Sequence, residues 1–302
     1  MSLISRTKKK HQVTPSAGGK IAVILLLPGL AYLGLFFITP LIALVMTSLQ
    51  VPGAGGIIGE YEFGLEIGNY GYAISQYSTQ IFRSFTFALI ATIIALLISY
   101  PLAYFIGVKA RNRPLLQAFL LTLVIAPFFI SFLLRTFAWK QIFANEGLLS
   151  NFLKFTGLLA QDDFIVGSSG AVIFGLVYNF IPFMTLPLYI NLERLDTSYL
   201  EAGSDLYATP AKTFWKVTLP LSIPGITSGT LLTFIPIAGD YVTASRDFLG
   251  GSDTSMLGNA VEISFFRIQD YPTAASLSVI LMAAIVVLVA AYVRRSGTED
   301  LL

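Results

Sequence analysis

An all-α integral membrane protein with six transmembrane helices is the fold class the sequence predicts, on three observations. The 302-residue chain is 55% hydrophobic and only 12% charged, about half the charged fraction of a soluble domain. Its charges are also missing in blocks. Six stretches of 20 residues or more contain no Asp, Glu, Lys or Arg: 21–59, 84–108, 114–134, 164–192, 217–239 and 271–293. A helix needs about 20 apolar residues to cross the hydrocarbon core, and backbone polar groups in lipid must pair within the element. Barrel strands would alternate over about ten residues, and these stretches do not. The third observation is the sidedness of Lys and Arg. With both termini inside, Arg6, Lys8, Lys9, Lys10, Lys20, Lys109, Arg111, Arg113, Arg194, Lys212, Lys216, Arg294 and Arg295 are cytoplasmic, 13 of the 19 basic residues. The opposite topology would violate the positive-inside bias.

Residues 1–20 read as a flexible basic cytoplasmic tail. The apolar run after Lys20 is longer than the 7–15 residue core of a signal peptide, so it is a retained helix, 21–49. An outer loop, 50–83, carries the turn-rich Pro52-Gly53-Ala54-Gly55-Gly56. Helix two, 84–108, and helix three, 114–137, form a hairpin across the short basic turn 109–113. A second outer loop, 138–168, leads to helix four, 169–192. The cytoplasmic loop 193–222 precedes helix five, 223–243. The outer loop 244–273 precedes helix six, 274–293, and 294–302 is a short cytoplasmic tail. The permease domain is thus 21–293. Prolines recur inside the spans, at Pro28, Pro40, Pro101, Pro127, Pro182, Pro187, Pro224 and Pro236. Membrane helices tolerate them because neighbours re-satisfy the freed carbonyls; kinks that hinge a pathway are the functional alternative.

The composition narrows the chemistry. There is no cysteine, hence no disulfide or thiolate-ligated metal. His11 is the only histidine and lies in the tail. No catalytic residue, metal site or cofactor is assigned to this chain, and no nucleic-acid partner. A Walker A loop needs Gly-x-x-x-x-Gly-Lys-Ser/Thr to cradle phosphates, and the nearest fragment, Gly18-Gly19-Lys20-Ile21, lacks both the spacing and the hydroxyl.

Function concentrates in 193–222. Ser198 with Glu201 three residues on is a capping box, and Thr209 before Pro210 is an N-cap with proline at the first helical position. Two short helices, near 199–206 and 210–217, therefore meet at Tyr207-Ala208. Ala202 and Gly203 are small enough for a partner surface to approach closely. Glu201 either caps its own helix or engages that partner. The segment Glu201-Ala202-Gly203-Ser204-Asp205-Leu206-Tyr207, nine residues, then Val217-Thr218-Leu219-Pro220 resembles the EAA loop of the membrane subunits of ABC importers. That pattern is Glu-Ala-Ala, three residues, Gly, nine residues, a branched aliphatic, any residue, Leu-Pro. Gly203 replaces the second alanine, and Tyr207 stands in the glycine position, where positive φ is cheap for glycine and not for tyrosine. The resemblance implies that Glu201, Ala202, Gly203, Leu206, Tyr207, Leu219 and Pro220 belong to a loop that docks on a separate ATPase.

Further segments resemble the spermidine/putrescine permeases. They are Arg113-Pro114-Leu115-Leu116, Ala126-Pro127-Phe128-Phe129, Arg135-Thr136-Phe137, Gly175-Leu176-Val177-Tyr178, Pro182-Phe183-Met184, Pro187-Leu188-Tyr189, Gly239-Asp240-Tyr241-Val242, Leu249-Gly250-Gly251, Leu257-Gly258-Asn259 and Asp270-Tyr271-Pro272. Permeases for ferric iron, opines and other small solutes share several of these. The resemblance implies a type I ABC importer permease fold in the bacterial cytoplasmic (inner) membrane. It also implies a second permease of similar fold, two ATPase subunits that hold ATP and Mg, and an extracytoplasmic solute-binding protein. A self-contained secondary transporter or channel, or a membrane enzyme, is the alternative class; the loop argues against the first, and the lack of clustered His, Asp or Glu at membrane depth against the second.

Acidic residues collect outside, with Glu60, Glu62, Glu66, Asp162, Asp163, Asp247 and Asp253 in the outer loops. They attract a polycation, or else complement the positive-inside rule or contact a binding protein. Asp240 falls late in helix five, roughly 26 Å from Ile223 at 1.5 Å per residue. It lines the pathway, pairs with Arg135, or is a plain interfacial residue. Tyr241, Tyr178 and Asn179 are the other candidate pathway residues, with interhelical hydrogen bonding the alternative for Asn179. Tyr72, Tyr77 and Trp139 read as interfacial aromatics.

Overall fold

The computed structural model describes residues 18–55 and 57–295. The expected tails fall outside them, apart from residues 18–20 and 294–295, which are helical. The chain begins with α1 (Gly18–Leu33), a π-helical turn (Gly34–Ile38) and α2 (Thr39–Ser48). The widened turn has a local cause. A proline ring clashes with the carbonyl four residues back, and for Pro40 that residue, Phe36, lies inside the π turn. The same relation holds for Pro220 and Lys216, in a second π turn (Phe214–Thr218).

The segment 50–83, expected as a loop, is more structured than its turn-rich composition suggests. Strands β1 (Gln50–Pro52) and β2 (Tyr61–Phe63) pair antiparallel, with Gln50 opposite Phe63. Helix α3 (Gly68–Tyr104) then starts well before residue 84 and continues through a π turn, Phe105–Lys109. Arg83 ends the charge-free block but does not end the helix, because its Nη1 donates to the Ser255 carbonyl at 3.0 Å. A kink at Tyr77 (φ −114°, ψ 19°) marks where this N-terminal extension joins the span.

The third span is not one straight helix over 114–137. Helix α4 (Pro114–Ile125) passes into a 3-10 turn (Ala126–Phe129), and Ile130 is extended (φ −105°, ψ 136°). Helices α5 (Phe132–Phe143) and α6 (Leu148–Phe155) follow, bent by 95° from the first half. Pro127 supplies no N–H at this point, and the following residues leave the helical region. Helix α7 (Ser169–Glu193) matches the expected fourth span, and its N-cap is Ser168, whose Oγ accepts from the Ala171 N–H at 3.1 Å.

Helices α8 (Ser198–Asp205), α9 (Pro210–Thr213) and α10 (Leu219–Leu221) form the loop between α7 and α11 (Ile223–Ala238). The segment Pro210–Leu221 meets α11 at 63°. Helix α11 ends at Ala238, short of the expected 243, so Asp240 lies beyond it. The segment after α11 holds α12 (Leu257–Glu262) and a π turn (Ile263–Ile268), and α13 (Tyr271–Arg295) starts earlier than residue 274. Among the described residues four continuous helices are long and apolar enough to span a membrane, and the number is six if each bent pair is one span.

The core is the packing of α3, α7 and α11 on one another. Ala88, Ala91 and Ala95 are buried on α3, so backbones approach closely. On α11, Gly225 and Gly229 face α7. A Cβ on Gly229 would lie 2.9 Å from Met184 Sδ and 3.0 Å from the Met184 carbonyl oxygen. This small-xxx-small contact lets membrane helices pack without a hydrophobic drive between them. Its spacing, Gly225-Ile226-Thr227-Ser228-Gly229, was visible in the sequence. Hydroxyls add cross-links: Thr185 Oγ1 donates to Ser99 Oγ at 2.8 Å, joining α7 to α3.

Candidate functional site

The loop between α7 and α11 is clamped at its entry by the basic turn after α3. Arg111 Nη2 donates to the carbonyls of Leu192 (3.2 Å) and Leu195 (3.0 Å), and also to that of Glu193. A cation at the carbonyls of a helix C-terminus also complements the helix dipole. Gln117 Nε2 donates to Glu193 Oε1 at 3.0 Å and to the Tyr189 hydroxyl at 3.1 Å. The start of the loop is therefore fixed to both α3 and α4.

Helix α8 begins one residue earlier than the Ser198–Glu201 capping box requires. Ser198 is its first helical residue, and the Glu201 N–H donates to the Thr197 carbonyl at 3.0 Å. The capping acceptor is instead Asp196, whose Oδ1 takes the Ser198 N–H at 2.9 Å. The backbone N–H and then the hydroxyl of Ser198 hold the Asp196 carboxyl below the usual carboxylate range. The second expected cap is present: Thr209 Oγ1 accepts from the Lys212 N–H at 3.3 Å, with Pro210 first in α9.

Between the two helices, Tyr207 adopts the left-handed conformation, φ 54°. The Ala208 N–H donates to the Gly203 carbonyl at 3.0 Å, closing the end of α8 around a left-handed residue. The backbone thus keeps the geometry a glycine takes without strain, at a cost to tyrosine of about 1–2 kcal/mol. Tyr207 is 97% exposed and Leu206 80%, so the tip of the knob is a pair of large side chains left largely uncovered by the described residues. Glu201 and Ala202 are exposed beside it.

Gly203 does not face outward with them. It is buried, and a Cβ there would meet Thr213 Oγ1 at 2.9 Å and Cγ2 at 3.0 Å. Its small size closes α8 onto α9, rather than admitting a partner. Leu219 packs against the core while Pro220 is exposed at the start of α10. These two shape the bend into α11, not the tip.

The four candidate pathway residues each have their own surroundings. Asp240 is 7% exposed, and its carboxylate accepts from the Thr243 N–H (2.8 Å) and Oγ1–H (3.2 Å). Arg135, its partner in one of the three alternatives, is also buried, yet no ion pair joins them; among the described residues the ion pair is Arg267–Asp247, 3.8 Å and exposed. Tyr241 lines an open groove of about 580 Å³ with Glu262, Phe265 and faces of α11 and α13. Tyr178 stands edge-on to Trp139, ring centroids 5.2 Å apart, and stacks on Phe174, so Trp139 belongs to a packed aromatic cluster. Asn179 is buried and its Nδ2 donates to Thr136 Oγ1 at 3.0 Å, tying α7 to α5. Tyr77 sits at the α3 kink, with its hydroxyl 3.4 Å from Ser264 Oγ.

Residues 99–296 match the family described as "Binding-protein-dependent transport system inner membrane component". The chain is 36% identical over 221 residues to the spermidine/putrescine transport system permease protein PotB of Escherichia coli (strain K12), covering 73% of this chain and 78% of that one. The corresponding protein of Haemophilus influenzae is 36% identical over 236 residues, 78% of this chain and 80% of its own. A chain of a bacterial ABC transporter that imports the acidic polysaccharide alginate superposes with TM-score 0.67 over 93% of this chain and 96% of that one, at 15% identity, a likeness of fold. With the family match spanning most of the chain, this protein belongs to the binding-protein-dependent transport system inner membrane components.

Proposed function

We propose that the chain is one of two membrane subunits of an ATP-driven importer for polyamines, and that it couples to a separate ATPase through the knob α8–α9. The reading is carried by the knob. A compact helical hairpin, fixed at its entry by Arg111, presents Leu206 and Tyr207 to solvent at the end of two core helices. Burying such side chains on a partner contributes about 1.5–3 kcal/mol each, enough to make the tip a docking element. On this reading both termini and the knob are cytoplasmic. Two ATPase subunits hold ATP and Mg, a second permease completes the pathway, and a binding protein delivers solute outside. The chain itself makes and breaks no bonds.

Two supports favour polyamines as cargo: the relatives of that name, and the exposure of Glu60, Glu62, Glu66, Asp162, Asp163, Asp247 and Asp253, which gives an acidic surface suited to a polycation. The test is uptake of labelled spermidine and putrescine into proteoliposomes holding the complete complex. Uptake requiring internal ATP and external binding protein is the expected result. Equal uptake by this chain alone would replace the reading with a self-contained carrier. ATP-driven uptake of another solute with polyamines excluded would keep the machinery and change the cargo.

A further inference from the structure

The knob has a second attachment, and it is not to the helix that follows it in sequence. Phe214 opens the π turn after α9, and its ring stands edge-on to two tyrosines of α3. The centroid distances are 5.5 Å to Tyr100 and 6.3 Å to Tyr104, with interplanar angles of 85° and 84°. Tyr100 and Tyr104 are four residues apart, so they lie one above the other on a single helix face. The Tyr100 hydroxyl, buried, is 2.8 Å from Ser222 Oγ. Ser222 Oγ in turn donates to the Leu219 carbonyl at 2.8 Å. Ser222 is the residue between Leu221 and Ile223, where the chain turns by 63° into α11. One face of α3 therefore grips the knob's outgoing segment twice, at the base of the knob and at the bend.

Both sides of this contact carry non-α geometry. On α3, Pro101 follows Tyr100, and the π turn Phe105–Lys109 follows Tyr104. On the loop, the π turn Phe214–Thr218 precedes Pro220. Such turns inside helices are frequent at functional sites. Edge-to-face rings hold a preferred angle as well as a distance, so the contact fixes the orientation of the loop against α3. Helix α3 also packs along α7 and α11. A displacement of the knob thus reaches the core by two routes, through the chain into α11 and through Phe214 into α3.

We infer that Phe214, seated on Tyr100 and Tyr104 and latched by the Tyr100–Ser222 hydrogen bond, is a positioning residue that transmits movement of the knob to α3. The inference rests on the coupling role proposed for the knob. Without the ring, the knob still docks, but its motion reaches the pathway through α11 alone. ATP is then hydrolysed without a matching opening.

The test compares the assembled complex carrying Phe214→Ala or Phe214→Tyr with the unaltered complex. Three quantities are measured: co-purification of the ATPase, binding-protein-stimulated ATP hydrolysis, and solute imported per ATP. The ratio of import to hydrolysis is the informative readout, because a defect of folding or assembly lowers both together and leaves the ratio alone. Phe214→Ala should retain the ATPase and lower the ratio about tenfold, within the usual range of coupling between sites; Phe214→Tyr should restore it. If Phe214→Ala does not accumulate in the membrane, Phe214→Leu, which keeps apolar volume without the edge-to-face geometry, should show the same fall. Tyr100→Phe, which keeps both rings and removes the latch, should fall in between. An unchanged ratio with the ATPase retained overturns the inference and leaves the coupling role standing. Loss of the ATPase on Phe214→Ala alone also overturns it, since the ring would then serve docking. If no ATPase co-purifies even with Phe214 in place, the coupling role itself fails.

Discussion

Replacing Tyr207 separates the strain of its backbone from the docking role proposed for its ring. Its backbone is left-handed, φ 54°, which costs an L-residue about 1–2 kcal/mol. Its side chain is 97% exposed, so in the isolated subunit the ring contributes no packing. Tyr207→Gly removes the backbone cost but adds about 0.5–1 kcal/mol of chain entropy to the unfolded loop, for a net gain of about 0.5–1 kcal/mol in local stability. Tyr207→Ala removes the ring and keeps the strained backbone, so local stability should not change. On the ATPase both variants lose the same ring, about 1.5–3 kcal/mol if it is fully buried, or roughly tenfold to a hundredfold in affinity. Amide exchange across 198–213 reads the first quantity, and titration of the ATPase onto nanodisc-embedded subunit reads the second. Slower exchange in the glycine variant only, with equal loss of affinity in both, is the expected pattern. Slower exchange in both variants, or full affinity in either, would refute the assignment of strain to the backbone and docking to the ring.

Gly203→Ala should loosen the knob by about 1–3 kcal/mol through overpacking on Thr213, and Thr213→Ala in the same chain should restore it, because the atoms a new Cβ would meet at 2.9 and 3.0 Å are then gone; protease resistance of the loop reads both. Asp240→Asn should leave uptake within a few-fold of normal, since the amide oxygen can still accept from the Thr243 N–H, whereas Asp240→Ala should destabilise the turn by about 1 kcal/mol, as for loss of a cap; a selective loss of transport in the Asn variant with normal thermal stability would return Asp240 to the pathway. Glu60, Glu62 and Glu66 changed together to Gln should flatten the salt dependence of binding-protein association, because exposed charges are screened within about 8 Å at physiological ionic strength. An unaltered salt profile would remove them from cargo or partner attraction.

The spans were legible because membrane insertion is a problem of length and charge, and both are written locally in the chain. Their ends were less legible for the same reason. A charge marks an end only when it has no partner, and Arg83 has the Ser255 carbonyl. Proline also acts differently by context. Pro182 and Pro187 stay inside α7, while Pro127 lies where the third span breaks. In the loop, the Thr209-Pro210 cap was readable because it depends on adjacent residues. The Ser198 cap was displaced by one position because Asp196 offered a competing acceptor. The position of Gly203 could not be read from spacing, since which face a small residue serves depends on Thr213, ten residues along and across a turn. The contact of Phe214 with Tyr100 and Tyr104 joins segments more than a hundred residues apart, and no local pattern announces it.

In the coupling role proposed for the knob, its tip touches the ATPase and moves with the ATPase cycle. The chain has no cysteine, so Ala202→Cys introduces a single reactive site, on an exposed residue beside Leu206 and Tyr207. The direct measurement is cross-linking from that site to cysteines placed over the surface of the ATPase, with and without ATP, in a complex that transports. The account requires an efficient cross-link whose yield or partner position changes when ATP binds, and loss of transport once the link is made. A transporting complex in which position 202 reaches no ATPase residue in either state, or in which the link leaves uptake unaffected, would contradict it.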